Sequence, residues 1–408
     1  MKRSLQKTVT AAAALVLLFA ASSAQAQSGS ARYRFTTLLD SQQGLVPTRC
    51  PAINGLGTVA VLVEDTLLGF DKLITKRDSR DEPVVVAHTD RVANYPTFCD
   101  NGFTQITSNA SINELGEVAF QGNLRRLSAP EACVTPEQRD TPRQGVFLGR
   151  GGPLTTIAHT NNPPGNDFIS EFIVADVSVN SFGKVALAIE LRGQPLFDQG
   201  LFVGSKQGIF GERFRNSTSE FESPSSRMSL NELGQIAFQD SGIVLSNPDG
   251  TFRRIFDSSS TGLAVFDPSL NIFGRVAVTG FTFDDPQILG IFTSRGGPVT
   301  TVADSTGRYA SFGRPSLNDR GQVVFTADLD EFGPNGFPLQ GVFTGPDPER
   351  DKVLQSGDIY QGVPVSSVFT CSEALNNFGQ IVMTVQSENP ETFEVRTFIV
   401  RATPRLDR

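Results

Sequence analysis

Short runs in which apolar and polar residues alternate occur along most of this chain, and a turn of the form Asn-x-x-Gly precedes seven of them. In "PSLNDRGQVVF" (residues 315–325), the turn is followed by Gln322, Val323, Val324 and Phe325. A period of two predicts a β-strand. Glycine accepts a left-handed backbone, and an Asn side chain can bond the backbone two residues further on, so we expect a tight hairpin.

The same turn recurs at intervals of 40 to 67 residues. Its asparagine and glycine positions are Asn54 and Gly57, Asn113 and Gly116, Asn180 and Gly183, Asn231 and Gly234, Asn271 and Gly274, Asn318 and Gly321, and Asn376 and Gly379. Most hairpins are followed by a run such as "GVFTG" at Gly341, and several by one such as "VTTVADS" at Val299. Each unit thus has four short strands, here called a to d in chain order: the Asn-x-x-Gly turn joins strands a and b, and the two later runs are strands c and d. This pattern predicts the blades of a β-propeller rather than a helical solenoid.

Strand d ends in most copies with a polar residue followed by Ser or Thr, as in Asp304-Ser305. The copy "VLQSGD", near Asp358, departs from this pattern. A further match, "FTTLLDS" (residues 35–41), stands before the first hairpin, where no strands a to c precede it. We therefore interpret residues 35–41 as a strand d that is separated from its blade.

The end of the chain has the complementary gap, because "VRTFIVRA" (residues 395–402) supplies a strand c that no strand d follows. Placing the first strand on the last blade would remove two open sheet edges. We predict an all-β fold, a seven-bladed β-propeller over residues 33–402, closed by the N-terminal strand joining the last blade. The alternative is an open array of small β units.

The N-terminus has the features of a signal peptide. Lys2, Arg3 and Lys7 precede a short apolar run, and Ala-Gln-Ala stands at 24–26. We expect cleavage after Ala26, a short lead at 27–32 and a C-terminal tail at 403–408. No second apolar run of about 18 residues follows, so we expect no membrane span and a secreted or periplasmic protein.

Charge and composition exclude some classes of partner. The formal charge is −8, and it becomes −11 once residues 1–26 are removed, because they hold three basic and no acidic residues. Lys and Arg form no cluster, so we do not expect nucleic-acid binding. The 38 Gly, 24 Pro and 32 Phe agree with a β protein that is rich in turns. We expect a monomer.

Four cysteines in an exported chain favour two disulfides. Cys50 and Cys371 lie four or five residues before a repeat asparagine, in blades 1 and 7, which closure would make neighbours. Cys99 precedes blade 2, and Cys133 lies in the b–c loop of that blade. We predict the pairs Cys50–Cys371 and Cys99–Cys133. The other two pairings, and metal binding by these cysteines, remain open.

The consecutive elements "PSLNxxGxVxF", "GVF" and "TTVA" resemble the tandem Asn-x-x-Gly repeats of exported bacterial propeller-like proteins. More distantly they are similar to the blades of TolB-type propellers, whose turn is usually Ser-Pro-Asp-Gly. This resemblance covers almost all of the chain after the signal peptide. It implies the propeller fold and is nearly silent on activity.

Few residues suggest a catalytic or metal-binding role. His88 and His159 occupy strand-d positions where other copies have Asp or Asn, so we interpret them as turn caps. Asp328, Asp330 and Glu331 are close together and could attract calcium, although the string lacks the spacing of a calcium loop. Apart from this calcium possibility, we expect no cofactor.

The longest insertions fall in the b–c and d–a connections, which share one face of a propeller, here called the loop face. They are residues 123–144, 160–171 and 328–340. Because loops carry binding more often than scaffold strands do, we expect any site on the loop face or at its channel mouth. Drift in loop length explains the insertions about equally well.

Two functional hypotheses follow. The first is a non-catalytic, exported binding or scaffolding module for a protein or a glycan, bound on the loop face. The alternative is a propeller hydrolase or lyase that acts on extracellular polysaccharide. Acidic, basic and tyrosine side chains pointing into the loop-side mouth would favour the enzyme, and an aliphatic lining would favour the binding module.

Overall fold

In the computed structural model, the residues described are 32–89, 103–124, 144–160, 168–172, 177–192, 198–221, 227–333, 336–389 and 391–405. They form seven antiparallel sheets arranged in a ring, which confirms the predicted propeller. The signal peptide, Cys99, Cys133 and most of the insertion at 123–144 lie outside the described residues. The expectations for these segments stay predictions.

Blades 1 to 3 come first along the chain. Blade 1 comprises β2 (Leu45–Pro47), β3 (Ala52–Ile53), β4 (Val59–Asp65), β5 (Phe70–Lys76) and β6 (Val84–His88). Blade 2 comprises β7 (Phe103–Ile106), β8 (Ser111–Ile112), β9 (Val118–Leu124), β10 (Gln144–Gly149) and β11 (Thr155–His159). Blade 3 comprises β12 (Phe168–Phe172), β13 (Ser178–Val179), β14 (Val185–Arg192), β15 (Asp198–Ser205) and β16 (Gly208–Arg215).

Blades 4 to 7 follow. Blade 4 comprises β17 (Met228–Leu230), β18 (Ile236–Gln239), β19 (Gly242–Ser246) and β20 (Phe252–Asp257). Blade 5 comprises β21 (Leu263–Leu270), β22 (Val276–Thr282), β23 (Leu289–Ser294) and β24 (Thr300–Asp304). Blade 6 comprises β25 (Tyr309–Phe312), β26 (Ser316–Leu317), β27 (Val323–Phe332), β28 (Pro338–Phe343) and β29 (Lys352–Gln355). Blade 7 comprises β30 (Ile359–Tyr360), β31 (Val363–Phe369), β32 (Ile381–Glu388), β33 (Val395–Pro404) and β1 (Tyr33–Asp40). Two single helical turns, Ser41–Gln43 and Ser258–Thr261, follow strands d.

Strand a, the innermost of each blade, is a single strand in blades 4 and 5 and is divided into two pieces in blades 1, 2, 3 and 6. The sequence pattern predicts one continuous strand there. In blades 1 and 6 the second piece follows Pro51 and Pro315, which have no N–H to give to a ladder. The short inner piece ends at the repeat asparagine, so the turn is positioned independently of the outer piece.

The N-terminal strand closes the ring, as predicted. β1 pairs antiparallel with β33, with Phe35 opposite Ala402 and Leu39 opposite Ile399. The hydroxyl groups of Thr37 and Tyr360 lie 2.6 Å apart, and Arg396 binds the Asp40 carboxylate at 2.6 Å. Blade 7 therefore takes its outermost strand from the start of the described chain.

A disulfide also crosses this seam, by which we mean the junction of blades 7 and 1. Cys50 and Cys371, 321 residues apart in sequence, are bonded in the structure. The seam thus has a covalent link near the channel on strands a and a hydrogen-bonded link at the outer edge of the ring.

The Ser or Thr after strand d fastens that strand to the start of strand c. Ser305 N–H donates to Leu289 O at 2.9 Å, and Leu289 N–H donates to Ser305 Oγ at 3.0 Å. Ser356 makes the same reciprocal pair with Gln340 at 2.7 and 2.9 Å, so the expectation that the sixth copy departs is wrong. Ser41 Oγ likewise accepts from Thr397 N–H at 2.9 Å, which gives β1 the ending of a strand d.

Strand b is buried on both faces, which its alternation does not reveal. Val323 and Phe325 belong to a cluster with residues of blade 5, whereas Val324 packs with residues of blade 7. All three are at most 4% exposed. The period of two therefore distributes side chains between two neighbouring blades rather than between core and solvent.

The seven Asn-x-x-Gly turns share one geometry. In each, the Gly N–H donates to the Asn carbonyl at 2.9–3.1 Å, and the Gly φ lies between +69° and +79°. The Asn Oδ1 accepts the N–H four residues on in all seven turns, as at Gln322 (3.0 Å), and the N–H two residues on in six of them. Each turn is therefore held by its own asparagine.

The same asparagines join the blades to one another. Each Nδ2 donates to the backbone carbonyl of the repeat asparagine in the next blade, at 2.9–3.2 Å. The last of these bonds runs from Asn376 in blade 7 to Asn54 in blade 1, so the seven bonds form a closed ring. All seven asparagines are at most 5% exposed.

A second set of bonds lies two residues before the asparagines. Ser Oγ accepts the N–H of the residue that precedes the asparagine of the next blade, as from Leu317 to Ser269 at 2.9 Å. The five serines are Ser111, Ser178, Ser229, Ser269 and Ser316. Blades 1 and 7 have Ala52 and Ala374 at this position. There the Ile53 N–H donates to Glu373 O at 3.0 Å instead.

We predict that Asn318→Asp lowers the free energy of unfolding by about 1–3 kcal/mol, because an aspartate keeps the acceptor of the turn and loses the donor to the Asn376 carbonyl. Chemical denaturation of both variants measures the effect. Asn389→Asp is the matched control, since Asn389 Oδ1 also accepts two N–H groups of its own loop. Equal stability of the two variants would contradict a role for the ring.

We also predict that a chain starting at Gln42 is less stable than one starting at Arg32. The missing strand β1 buries Leu38 and Leu39 to 2% exposure, and two such side chains contribute about 3–6 kcal/mol. Because the ring is closed, one cooperative transition should move to lower temperature in calorimetry. An unchanged melting temperature would show that β1 does not hold the ring together.

Candidate functional site

The a–b and c–d turns form the face opposite the loop face, here called the turn face. At its centre lies a cavity of about 440 Å³. The residues that directly follow the repeat asparagines line its mouth, and they are Gly55, Glu114, Ser181, Glu232, Ile272, Asp319 and Asn377. Three of these seven are acidic and none is basic, so we call this set the acidic mouth.

The three carboxylates of the acidic mouth are anchored to neighbouring blades. Glu114 accepts from the Gly55 N–H at 2.9 Å. Glu232 accepts from the N–H and the hydroxyl of Ser181, each at 2.9 Å. Asp319 accepts from the Ile272 N–H at 2.8 Å, and Asn377 Nδ2 donates to it at 2.6 Å. A carboxylate has about four acceptor positions, so each can accept a further donor.

Burial and neighbouring charges in the mouth act on the Glu114 carboxyl. Partial burial raises the pKa of the Glu114 carboxyl, and the charges of Glu232 and Asp319 act in the same direction. The hydrogen bond from the Gly55 N–H opposes them. The mouth therefore concentrates negative charge that a bound cation would relieve.

An apolar rim surrounds the acidic mouth. The second residue after the repeat asparagine is a large apolar side chain in six turns, exposed by 56% to 74%, and Arg320 takes this place in blade 6. The six are Leu56, Leu115, Phe182, Leu233, Phe273 and Phe378. The Leu or Phe recurs visibly in the sequence, but its exposure at the channel mouth becomes evident only in the structure.

Below the mouth the cavity becomes aliphatic. The residues that precede the asparagines line it, each 6% to 8% exposed: Ile53, Ile112, Val179, Leu230, Leu270, Leu317 and Leu375. Five repeat asparagines also line the cavity, and their side-chain amides are engaged in the turns and in the ring: Asn54, Asn113, Asn231, Asn318 and Asn376.

A second cavity, of about 500 Å³, opens on the loop face beside the seam. It is lined by Pro47, Thr48, Arg49, Cys50, Asn109, Arg314, Phe369, Cys371, Thr384 and Gln386. Arg314 Nε lies 3.7 Å from Asp267 Oδ1, and Arg227 also pairs with Asp267. The described lining of this cavity thus holds two arginines.

The remaining candidates from the sequence do not converge on one place. Asp328 Oδ2 accepts from Ser311 at 2.6 Å, whereas Glu331 pairs with Arg308. Within the described ranges, no three side chains of His, Cys, Asp or Glu are grouped as metal ligands would be. His159 Nδ1 lies 2.8 Å from the Thr160 carbonyl oxygen, and His88 packs on Phe70.

In the part of the chain that the structure describes, no helix has the length and hydropathy needed to cross a membrane. A search of curated proteins gives no match.

Several solved structures are similar to the chain. One is the oligogalacturonate lyase of Vibrio parahaemolyticus, at 12% identity and a TM-score of 0.49, covering 92% of this chain and 98% of the lyase. Another is the polysaccharide lyase Uly1, at 9% identity and a TM-score of 0.45, covering 85% and 88%. A prolyl endopeptidase has 10% identity and a TM-score of 0.49, covering 89% of this chain and 51% of the peptidase. At these identities the likeness carries no information on activity.

Residues 20–397 match a protein family described as a family of unknown function, DUF7453. The match spans most of the 408 residues, so the chain belongs to the DUF7453 family.

Proposed function

We propose that this protein is a non-catalytic binding module that holds a cationic segment of a protein partner on its turn face. The observation that carries the proposal is the apolar rim around the acidic mouth. Exposed apolar side chains that occur together on one surface are typical of interaction sites, whereas singly scattered ones are ordinary. Here six such side chains stand at equivalent positions around one cavity.

The negative charge of the acidic mouth favours a cationic partner over a second copy of this chain. Two copies of the turn face would bring the acidic mouths together, and like charges in a desolvated interface oppose binding. A Lys or Arg side chain of a partner would instead meet Glu114, Glu232 and Asp319, while apolar neighbours in the partner would contact Leu and Phe side chains of the rim. Aromatic residues in such positions often supply much of the binding energy.

Two observations favour binding over catalysis. Each carboxylate of the mouth already accepts a backbone N–H from a neighbouring blade, which holds it in place. The cavity beneath is aliphatic. The raised pKa of Glu114 favours the alternative, a hydrolase or lyase in which Glu114 supplies a proton. Turnover of a polysaccharide panel by the wild type that is lost in Glu114→Gln would establish the alternative.

We also propose that the protein is exported from the cytoplasm. The disulfide Cys50–Cys371 is compatible with an oxidising compartment, and the features of residues 1–26 agree with it. We place the protein in the periplasm or outside the cell.

We expect a peptide with a central Lys flanked by Leu and Phe to bind at least tenfold more tightly than the same peptide with Glu for Lys. Phe182→Ser and Phe378→Ser should each weaken binding about tenfold, because each removes one aromatic contact. Fluorescence anisotropy measures the dissociation constants. The matched control is Phe393→Ser, since Phe393 lies in a b–c loop of the opposite face and is 74% exposed, as Phe182 is.

Two outcomes would overturn the turn-face proposal. One is equal affinity for the Lys and Glu peptides, which would mean that the acidic mouth does not select charge. The other is an equal loss of affinity in Phe393→Ser and Phe182→Ser, which would mean nonspecific apolar adsorption.

Binding of the Lys peptide should weaken as the pH falls through the pKa of Glu114. That pKa is raised in the free protein, so Glu114 becomes neutral at a higher pH than an ordinary Glu and then no longer attracts a cation. Binding should therefore release protons within this window. Dissociation constants between pH 4 and 8, compared for the wild type and Glu114→Gln, test this. The variant should show the flatter dependence, and identical slopes would contradict it.

A further inference from the structure

We infer that an arginine cluster beside blade 5 binds an acidic side chain of the partner segment and thereby fixes the orientation of that segment on the turn face. The cluster consists of Arg253, Arg275 and Arg295. This inference rests on the function proposed for the turn face, because it concerns the same partner segment. It adds the charge pattern of the partner, which is a basic residue over the mouth and an acidic residue over blade 5.

The three arginines lie in separate segments of the sequence and meet around the two turns of blade 5. Arg275 directly follows Gly274, the last residue of the Asn-x-x-Gly turn, and Arg295 directly precedes Gly296 in the c–d turn. Arg253 comes from strand d of blade 4. Its Nη2 lies 3.2 Å from the position that a Cβ on Gly274 would take, and its Cδ lies 3.6 Å from the same position at Gly296. The fold therefore produces a basic cluster that the sequence does not show as a run.

Arg295 connects the cluster to the apolar rim. Its guanidinium carbon lies 5.8 Å from the centre of the Phe273 ring, and Phe273 is the rim residue of blade 5, 61% exposed. A cation over an aromatic face is attracted by the ring quadrupole. A segment that contacts Phe273 therefore passes beside the Arg295 guanidinium group.

The cluster has no counterion in the part of the chain that the structure describes. None of its three guanidinium groups makes an ion pair or a hydrogen bond there, and the turns at 271–275 and 294–299 contain no acidic residue. Asp319 accepts the Ile272 N–H at 2.8 Å, but it lies in the acidic mouth and also accepts from Asn377. Guanidinium groups bind carboxylates with two parallel hydrogen bonds, so a carboxylate is the group that matches the cluster.

The shape of this surface indicates that the carboxylate belongs to a larger partner. Arg253 and Arg295 are exposed on turns, whereas sites for small molecules are concave. A polyanion lying across the turn face would also meet the carboxylates of the acidic mouth, which would repel it. A protein segment of mixed charge avoids both difficulties, because its basic and acidic residues contact different zones of the same face.

The cluster also distinguishes one blade from the others. Rim residues at equivalent positions in six blades would accept a segment in several orientations about the propeller axis. Blade 3 has Lys184 and Lys206 at the places of Arg275 and Arg295, but Thr155 of blade 2 stands where blade 4 has Arg253. An acidic side chain in the segment therefore favours the orientation in which it meets blade 5.

Two pairs of peptides test the inference with the wild type. Each peptide has the central Lys flanked by Leu and Phe, and a Glu or a Gln is added on the N-terminal side in one pair and on the C-terminal side in the other. In at least one pair, the Glu peptide should bind at least threefold more tightly in fluorescence anisotropy, since exposed ion pairs contribute modestly. A smaller gain in both pairs, while the Gln peptides still bind, would overturn this inference and leave the turn-face proposal intact. No binding of any peptide would overturn both.

Variants locate the gain in the cluster. The double variant Arg253→Gln, Arg295→Gln should lose the gain and keep its affinity for the Gln peptide. Both side chains are exposed, and thermal unfolding checks that the variant is folded. The matched control is the double variant Arg150→Gln, Lys206→Gln, which removes two exposed charges from the c–d turns of blades 2 and 3. A gain that persists in the first variant, or that is lost equally in the control, would overturn the inference.

Discussion

The closed ring of asparagine side-chain bonds is the constraint on which the rest of this propeller depends. Each repeat asparagine uses Oδ1 to hold its own turn and Nδ2 to hold the next blade. Its side chain is buried, so any polar atom left without a partner would be costly. Aspartate and serine lack the amide donor, and glutamine carries its amide one methylene further out. The position therefore requires asparagine in every blade, even though the spacing between copies varies.

This constraint also determines the chemistry of the turn face. Once the asparagine and glycine of a turn are fixed, the residue after the asparagine lies at the axis and the next residue lies in solvent. Residues at the first position form the acidic mouth, and residues at the second form the apolar rim. Both surfaces therefore follow from the geometry of the same Asn-x-x-Gly turn. Because neither position is needed for the turn itself, its residue type is free to serve recognition. Glu114 and Phe182 illustrate the two positions.

The fold could be predicted from the sequence because its signals are local and repeated. The turn, the strand after it and the unmatched strand at residues 35–41 each depend on a few adjacent residues. Bonds between blades could not be predicted in this way, since the partner of Asn318 Nδ2 lies 58 residues away. Ser356 was misjudged for a different reason, because Gln355-Ser356 fits the pattern of a polar residue followed by Ser and was not recognised as a copy of it. The apolar rim had a sequence signal, but exposure of a Leu or Phe cannot be inferred until the turn is placed at the axis.

The seam departs from the repeat, and the loop-side cavity lies beside this departure. Five blades use a serine two residues before the asparagine to bond the next blade, but blades 7 and 1 have Ala374 and Ala52 there. Glu373 and the disulfide Cys50–Cys371 replace the missing serine contacts. Substituting a covalent bond for a repeated hydrogen bond frees the adjoining residues from the repeat. Arg49, Thr384 and Gln386 stand next to this junction, so the lining of the loop-side cavity comes from positions at the seam that the repeat does not constrain.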